Sequence, residues 1–171
     1  MGNDAPLVVV MGVCGSGKST VGQELAERLA VPFADADEFH PPANIDKMAA
    51  GHALDDTDRA PWLAAIGIWL AEHHRAGAVV TCSALKHIYR DMLRAQAPGI
   101  FLVHLAGDPQ VVTERVCART DHFMPASLID SQYATLEPLS ADEHGITLDL
   151  ALSVDDLVAA AHAAVQAPAR S

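Results

Sequence analysis

The sequence predicts an α/β domain in three layers, a five-stranded parallel sheet with helices on both faces. Three observations point there. Short, nearly wholly apolar runs of β-branched type recur along the chain, and each is followed by a helical stretch. A glycine-rich turn, Gly12-Val-Cys-Gly-Ser-Gly-Lys18-Ser19, joins the first run to the first helix. The length of 171 residues, 50% of them apolar, suits one domain with a real core. Alternation of this kind builds right-handed crossovers, and ligands then bind beyond the carboxyl ends of the strands.

Residues 7–11 form the first strand, apolar throughout. A helix over 18–30 follows, with Val21, Leu25 and Leu29 on one face, and Pro32 stops it. Residues 31–34 make a short second strand that runs into Asp35-Ala36-Asp37. The polar stretch 40–58 holds a short helix over 44–50, ended by Gly51. A longer helix over 59–75 carries Trp62, Ile66, Trp69, Leu70 and His73 on one stripe, with Asp58 as its cap and Gly77 as the left-handed residue after it. Residues 78–82 are the third strand, 87–96 a helix, and 100–105 the fourth strand. Asp108-Pro109 caps and opens a helix to about Ala118. Residues 119–125 read as irregular, 127–135 as a helix and 145–149 as a fifth strand. Ser153-x-x-Asp156 is a capping box before the last helix.

Composition excludes several classes. Eleven Lys and Arg stand against 22 Asp and Glu, a net charge of −11, with no basic run. Such a chain repels nucleic acid and anionic membranes. No apolar run is long enough for a membrane helix, and the N-terminus lacks the pattern of a signal peptide. Three cysteines without a C-x-x-C pair are neither a disulfide framework nor a zinc site, so a cytoplasmic protein is expected. The only lysines are Lys18, Lys47 and Lys86, which makes their positions informative.

The turn at Gly12 matches G-x-x-x-x-G-K-[ST] between strand and helix. Its glycines let backbone N–H groups converge on phosphate oxygens, and the helix dipole aims at the same anion. Gly12, Val13, Cys14, Gly15, Ser16, Gly17, Lys18, Ser19 and Thr20 are therefore expected to bind ATP, with Lys18 on the β- and γ-phosphates and the Ser19 hydroxyl on Mg²⁺. A purely structural glycine turn is the alternative. Cys14 reads either as a reactive thiol or as a small residue fitting the turn. No guanine-reading N-K-x-D element is present, and the third strand ends in Thr81-Cys82-Ser83. That favours a kinase acting on a second small molecule.

Four segments carry a more specific resemblance: 11–20, 35–63, 82–94 and 122–139, containing MGVCGSGKST, DADEFHPPANIDKM, CSALKHIYRDMLR and HFMPASLIDSQYATLEPL. In this order they resemble the P-loop gluconate kinases over nearly the whole chain, with Cys14 where serine is more usual. The resemblance implies a single three-layer α/β/α P-loop kinase domain over 1–171, a small lid at approximately 119–135, and a homodimer. It implies ATP-dependent phosphorylation of the C6 hydroxyl of D-gluconate, with Mg²⁺.

Gluconate, a polyhydroxy acid, needs a cation for its carboxylate and a carboxylate near the attacking hydroxyl. Asp35 and Asp37, one residue apart at a strand end, are expected to face opposite sides. Resemblance to shikimate kinase implies Asp35 for the metal's water shell and Asp37 for the attacking hydroxyl. Arg59 is a candidate for the substrate carboxylate, or pairs with the acidic run at 55–58. Lys86, Tyr89 and Arg90 share a face at a helix start and are candidate substrate contacts, with surface pairing or core packing as the alternatives. His40 is a candidate hydroxyl contact. Arg119 and His122 fall in the expected lid, where an arginine can stabilise transferring charge. Trp62 and Trp69 read as core or dimer contacts, and His104 as a hydrogen-bonded core residue.

Overall fold

The first strand, β1 (Leu7–Met11), is buried along its whole length. Successive side chains of a strand face opposite ways. Val8 and Val10 accordingly join one apolar cluster, while Leu7, Val9 and Met11 join another. Such a strand needs cover on both faces, which a parallel sheet between helical layers supplies. The computed structural model describes residues 5–52, 54–118 and 126–167.

The other strands are β2 (Phe33–Asp35), β3 (Ala78–Thr81), β4 (Phe101–Ala106) and β5 (Gly145–Asp149). The sheet order is β2-β3-β1-β4-β5, and every pairing is parallel. The helices are α1 (Lys18–Leu29), α2 (Pro42–Ala49), α3 (Asp56–Glu72), α4 (His87–Gln96), α5 (Pro109–Ala118), α6 (Ala126–Thr135) and α7 (Val154–Gln166). One face of the sheet packs against Val21 and Leu25 of α1, Val112 of α5 and Leu157 of α7. The other packs against Trp62, Leu63, Ile66 and Leu70 of α3 and Leu93 of α4. Full burial of a side chain such as Leu25 or Leu63 stabilises by about 1.5–3 kcal/mol. No helix among the described residues is long and apolar enough to cross a membrane.

The expected α/β fold is present, and its departures have local causes. β2 starts two residues later than expected, because Ala30 turns left-handed (φ 58°) and its N–H and that of Val31 still bond back into α1. α2 starts two residues early, at Pro42, where a missing N–H is harmless. α3 starts three residues early: Asp55 is the cap and Asp58 the third residue of a reciprocal capping box. It ends at Glu72, and the rings of His73 and His74 bond to the carbonyls of Trp69 and Ala71. Gly77 takes the expected left-handed conformation (φ 85°). Five buried strands were expected, but β5 is an edge strand with only Leu148 buried.

Arg90 corrects an expectation. Its side chain is wholly buried: Nε and Nη2 donate to Glu143 at 2.7 and 2.9 Å, and Nη1 donates to the Ala84 carbonyl at 2.8 Å. Nη2 also reaches the Pro138 carbonyl. Arg90 thus ties α4 to the loop before β5 and is not a substrate contact. Burial alone pushes the Glu143 carboxyl up, but hydrogen bonds from Arg90 and Arg94 outweigh it and hold it down at about 2. His104 is buried, as expected, yet neither ring nitrogen has a hydrogen-bond partner. Burial, assisted by the Arg90 charge, lowers its pKa to about 4.

Both groups make stability fall with acid, in different windows. The unfolded chain protonates His104 near 6.5 and the folded chain near 4, so stability is lost as pH drops between those values. The depressed Glu143 contributes stability that is present above about 4.5 and lost toward about 2. His104→Leu should remove the upper window. In urea unfolding, the stability of the variant relative to wild type should rise by up to about 3 kcal/mol between pH 7 and pH 4. A pH-independent difference would contradict the unpartnered ring.

Candidate active site

β1 ends at the sheet centre, and the chain must turn sharply there to start α1 above it. Gly12, Gly15 and Gly17 take φ of 147°, 84° and 94°, conformations that favour glycine. Gly15 leans on α5 so closely that a Cβ there would collide with Val116 and press on Val112. The Gly12 N–H donates to the Ser83 carbonyl beyond β3 at 3.3 Å, and the Ser16 N–H to the Val13 carbonyl at 3.2 Å. Lys18 begins α1 and donates from Nζ to the Val13 carbonyl at 2.9 Å. Loss of water lowers its pKa, although the thiols and carboxylates nearby oppose the shift.

The loop borders a cleft of about 510 Å³, lined also by Asp35, Asp37, Trp62, Thr81 and Gln132. Cys14, Gly15, Gly17, Lys18, Ser19 and Thr20 face it. Ser16 is buried beneath, with its hydroxyl unpartnered. The Cys82 thiol at the cleft floor is pushed up to about 12 by burial, so it stays protonated.

The two aspartates reach the cleft by a route the sequence did not suggest. Strand alternation does not apply, because β2 stops at Asp35 and residues Ala36–Phe39 form a 3₁₀ turn. Asp35 caps that turn: Oδ1 accepts the Asp37 N–H at 2.9 Å, while Oδ2 accepts the Ser19 hydroxyl at 3.3 Å. Glu38 accepts the Asp35 N–H in return, at 2.8 Å. Asp37 projects from the turn with a largely exposed carboxylate. Trp62 is buried and donates from Nε1 to the Ala36 carbonyl at 2.7 Å, bracing the same turn. Its role beside the cleft was missed, since a tryptophan on an apolar helix stripe reads as core.

His40 stacks on Trp62, with ring centroids 4.4 Å apart and planes 8° off parallel. Its Nε2 lies 3.9 Å from Asp37 Oδ1, too far for a hydrogen bond. Burial lowers its pKa and Arg59 adds to that, against the opposing charge of Asp37. Arg59 donates to the Tyr89 hydroxyl at 2.7 Å, which donates to Asp56 at 2.5 Å. Lys86 Nζ pairs with Asp56 at 3.3 Å. Its pKa is raised by that hydrogen bond. Arg59, Lys86 and Tyr89 are thus brought together from α3 and α4, and Asp56 joins them. The acidic run is divided: Asp55 caps, Asp56 holds Lys86 and Tyr89, and Asp58 holds Lys47. The expected lid contacts Arg119 and His122 lie outside the described residues.

Gln132 of α6 also borders the cleft, and its Oε1 accepts the Cys14 N–H at 2.6 Å. The signal available in sequence was a polar residue on the apolar stripe Ile129, Tyr133 and Leu136.

The chain matches the family described as shikimate kinase over residues 14–144. It is 50% identical to a gluconokinase of Gluconobacter oxydans (strain 621H) over 84% of this chain and 82% of that one. It is 40% identical to the thermoresistant gluconokinase of Escherichia coli (strain K12), covering 92% and 91%. Among solved structures, a gluconokinase from Sinorhizobium meliloti 1021 superposes with a TM-score of 0.86 at 46% identity, over 95% of this chain and 93% of that one. A shikimate kinase from Bacteroides thetaiotaomicron superposes at 0.66 with 16% identity, over 91% and 95%, and shows the shared fold.

Gly15→Ala tests the loop's seat on α5. The variant should lose about 1–3 kcal/mol of stability by overpacking against Val116 and Val112, and ATP affinity should fall at least about tenfold. Urea unfolding and calorimetry measure the two effects, and unchanged values in both would deny that contact.

Proposed function

The chain belongs to the gluconokinases, within the wider shikimate kinase family, and we propose that it transfers the γ-phosphoryl group of ATP to the C6 hydroxyl of D-gluconate. The observation that carries this reading is the convergence of Lys18, Ser19, Asp35 and Asp37 on one cleft, in a chain that is 40–50% identical to gluconokinases over most of its length.

Phosphoryl transfer asks a protein mainly for positioning and charge stabilisation. The loop amides and Lys18 hold the triphosphate, with Lys18 exchanging the Val13 carbonyl for phosphate oxygens. Gly17 as the residue before α1 aims the helix N-terminus at the same group. The Ser19 hydroxyl and the second oxygen of Asp35 are hard oxygen donors 3.3 Å apart, the kind Mg²⁺ accepts alongside water and phosphate oxygens. Bound there, Mg²⁺ supplies neutralisation of the charge that builds on the phosphate oxygens.

Asp37 has no part in capping its own turn with its side chain and is open to the cleft. That leaves its carboxylate to accept the proton of the attacking hydroxyl, or to orient it. The His40 ring, held flat on Trp62, offers a polar edge to the substrate hydroxyls. Arg59 and Lys86 supply the positive charge that a sugar acid's carboxylate needs, and Tyr89 and Asp56 hold the two cations in place. Arg119 in the expected lid would meet the developing charge. A second copy of the chain completes the reading as a homodimer, which sedimentation measures.

The assay is ADP formation with gluconate, shikimate or adenylylsulfate as acceptor. Gluconate alone should stimulate turnover; stimulation by another acceptor in its place would refute the substrate. Asp37→Asn should lower kcat by about 10²-fold or more and leave ATP affinity nearly unchanged. Near-normal turnover would remove Asp37 from the chemistry.

A further inference from the structure

α6 turns one face inward. Ile129 is buried in the core, and Tyr133 and Leu136 pack against it. The Tyr133 hydroxyl donates to the Gly107 carbonyl at 3.0 Å, fixing the helix to the end of β4. Gln132 falls on this same face, because positions i, i+3, i+4 and i+7 share a side. A carboxamide placed there loses water, and its polar atoms must be used to offset that cost. The Cys14 N–H, inside the phosphate loop, uses one of them at 2.6 Å. The same side chain borders the cleft shared by Lys18, Ser19, Asp35 and Asp37.

The direction of that bond determines what the other branch of the carboxamide is. A backbone N–H can only donate, so the atom facing Cys14 is the oxygen, and the NH₂ group with its two donors is the second branch. The cleft runs from the loop to Asp37, the carboxylate proposed above for the acceptor hydroxyl, so a phosphate that meets both would be the terminal one. We infer that Gln132 is a further residue of the phosphoryl-transfer site: Oε1 holds the loop at Cys14, and Nε2 donates to the terminal phosphate of the nucleoside triphosphate. The inference rests on the loop binding ATP and is independent of the acceptor's identity. A neutral donor suits this place, because its hydrogen bond strengthens as charge spreads over the phosphoryl oxygens.

The test compares ATP with ADP, since only ATP carries the phosphate in question. Calorimetric titrations with Mg²⁺ would use wild type, Gln132→Met and Gln132→Glu. Methionine keeps the length and removes both polar atoms; glutamate keeps the acceptor for Cys14 and removes the donors. In both variants the loss in ATP affinity should exceed the loss in ADP affinity by about five- to tenfold, since loosening of the loop weakens both nucleotides alike. Equal losses for the two nucleotides would make Gln132 a support of the loop only. Wild-type ATP affinity in either variant would likewise overturn the inference. ADP binding reports that the nucleotide site is folded. No acceptor enters the measurement, so failure of the gluconate reading would appear separately, as ADP formation that gluconate does not stimulate.

Discussion

β1 has almost no freedom, and the site inherits its precision from that. It lies third in the sheet, bonded to β3 on one side and β4 on the other, with apolar clusters above and below. A one-residue slip would turn every valine to the wrong layer. Its carboxyl end therefore delivers Gly12 to one place, at the centre of the sheet edge where neighbouring loops converge. The loop is then held from behind by α5, through the contact of Gly15 with Val112 and Val116, and at its rim by Gln132. The loop amides are thereby arranged before any ligand arrives, which would lower the reorganisation that binding an anion there requires.

Charge is distributed to the same end. In a chain with net charge −11, each lysine has a defined place. Lys47 is tied to Asp58 and Lys86 to Asp56, whereas Lys18 rests on a neutral carbonyl inside the loop. Exchanging that carbonyl for a phosphate, as proposed above, would break no ion pair. Asp35 shows comparable division of labour within one side chain, with one oxygen shaping the 3₁₀ turn and the other directed to Ser19. The turn that presents Asp37 is braced from below by Trp62, so a core residue of α3 sets the position of a carboxylate in the cleft.

The candidate site divides into parts that were legible in sequence and parts that were not. The phosphate loop was legible because its glycines, Lys18 and Ser19 are contiguous, and its conformation is local. Asp35 and Asp37 are legible as a pair, but a cap within four residues, and not strand alternation, turns both into the cleft. Arg59, Lys86 and Tyr89 each stand out in the sequence, yet their meeting through Asp56 spans about thirty positions. The burial of Arg90 is invisible in any local window, because its partner, Glu143, lies 53 positions away. Its spacing from Lys86 and Tyr89 was correct; its burial was decided elsewhere.

The sequence by itself determined the α/β alternation, most element types and the loop chemistry. These follow from apolar periodicity, from capping residues and from glycines that tolerate positive φ, all of which act within a few residues. Only the tertiary structure decided the strand order, the exposure of β5, the burial of Arg90 and the approach of Gln132 to Cys14. Each of those depends on which distant surfaces meet when the apolar faces are covered, and no short window of sequence contains both partners.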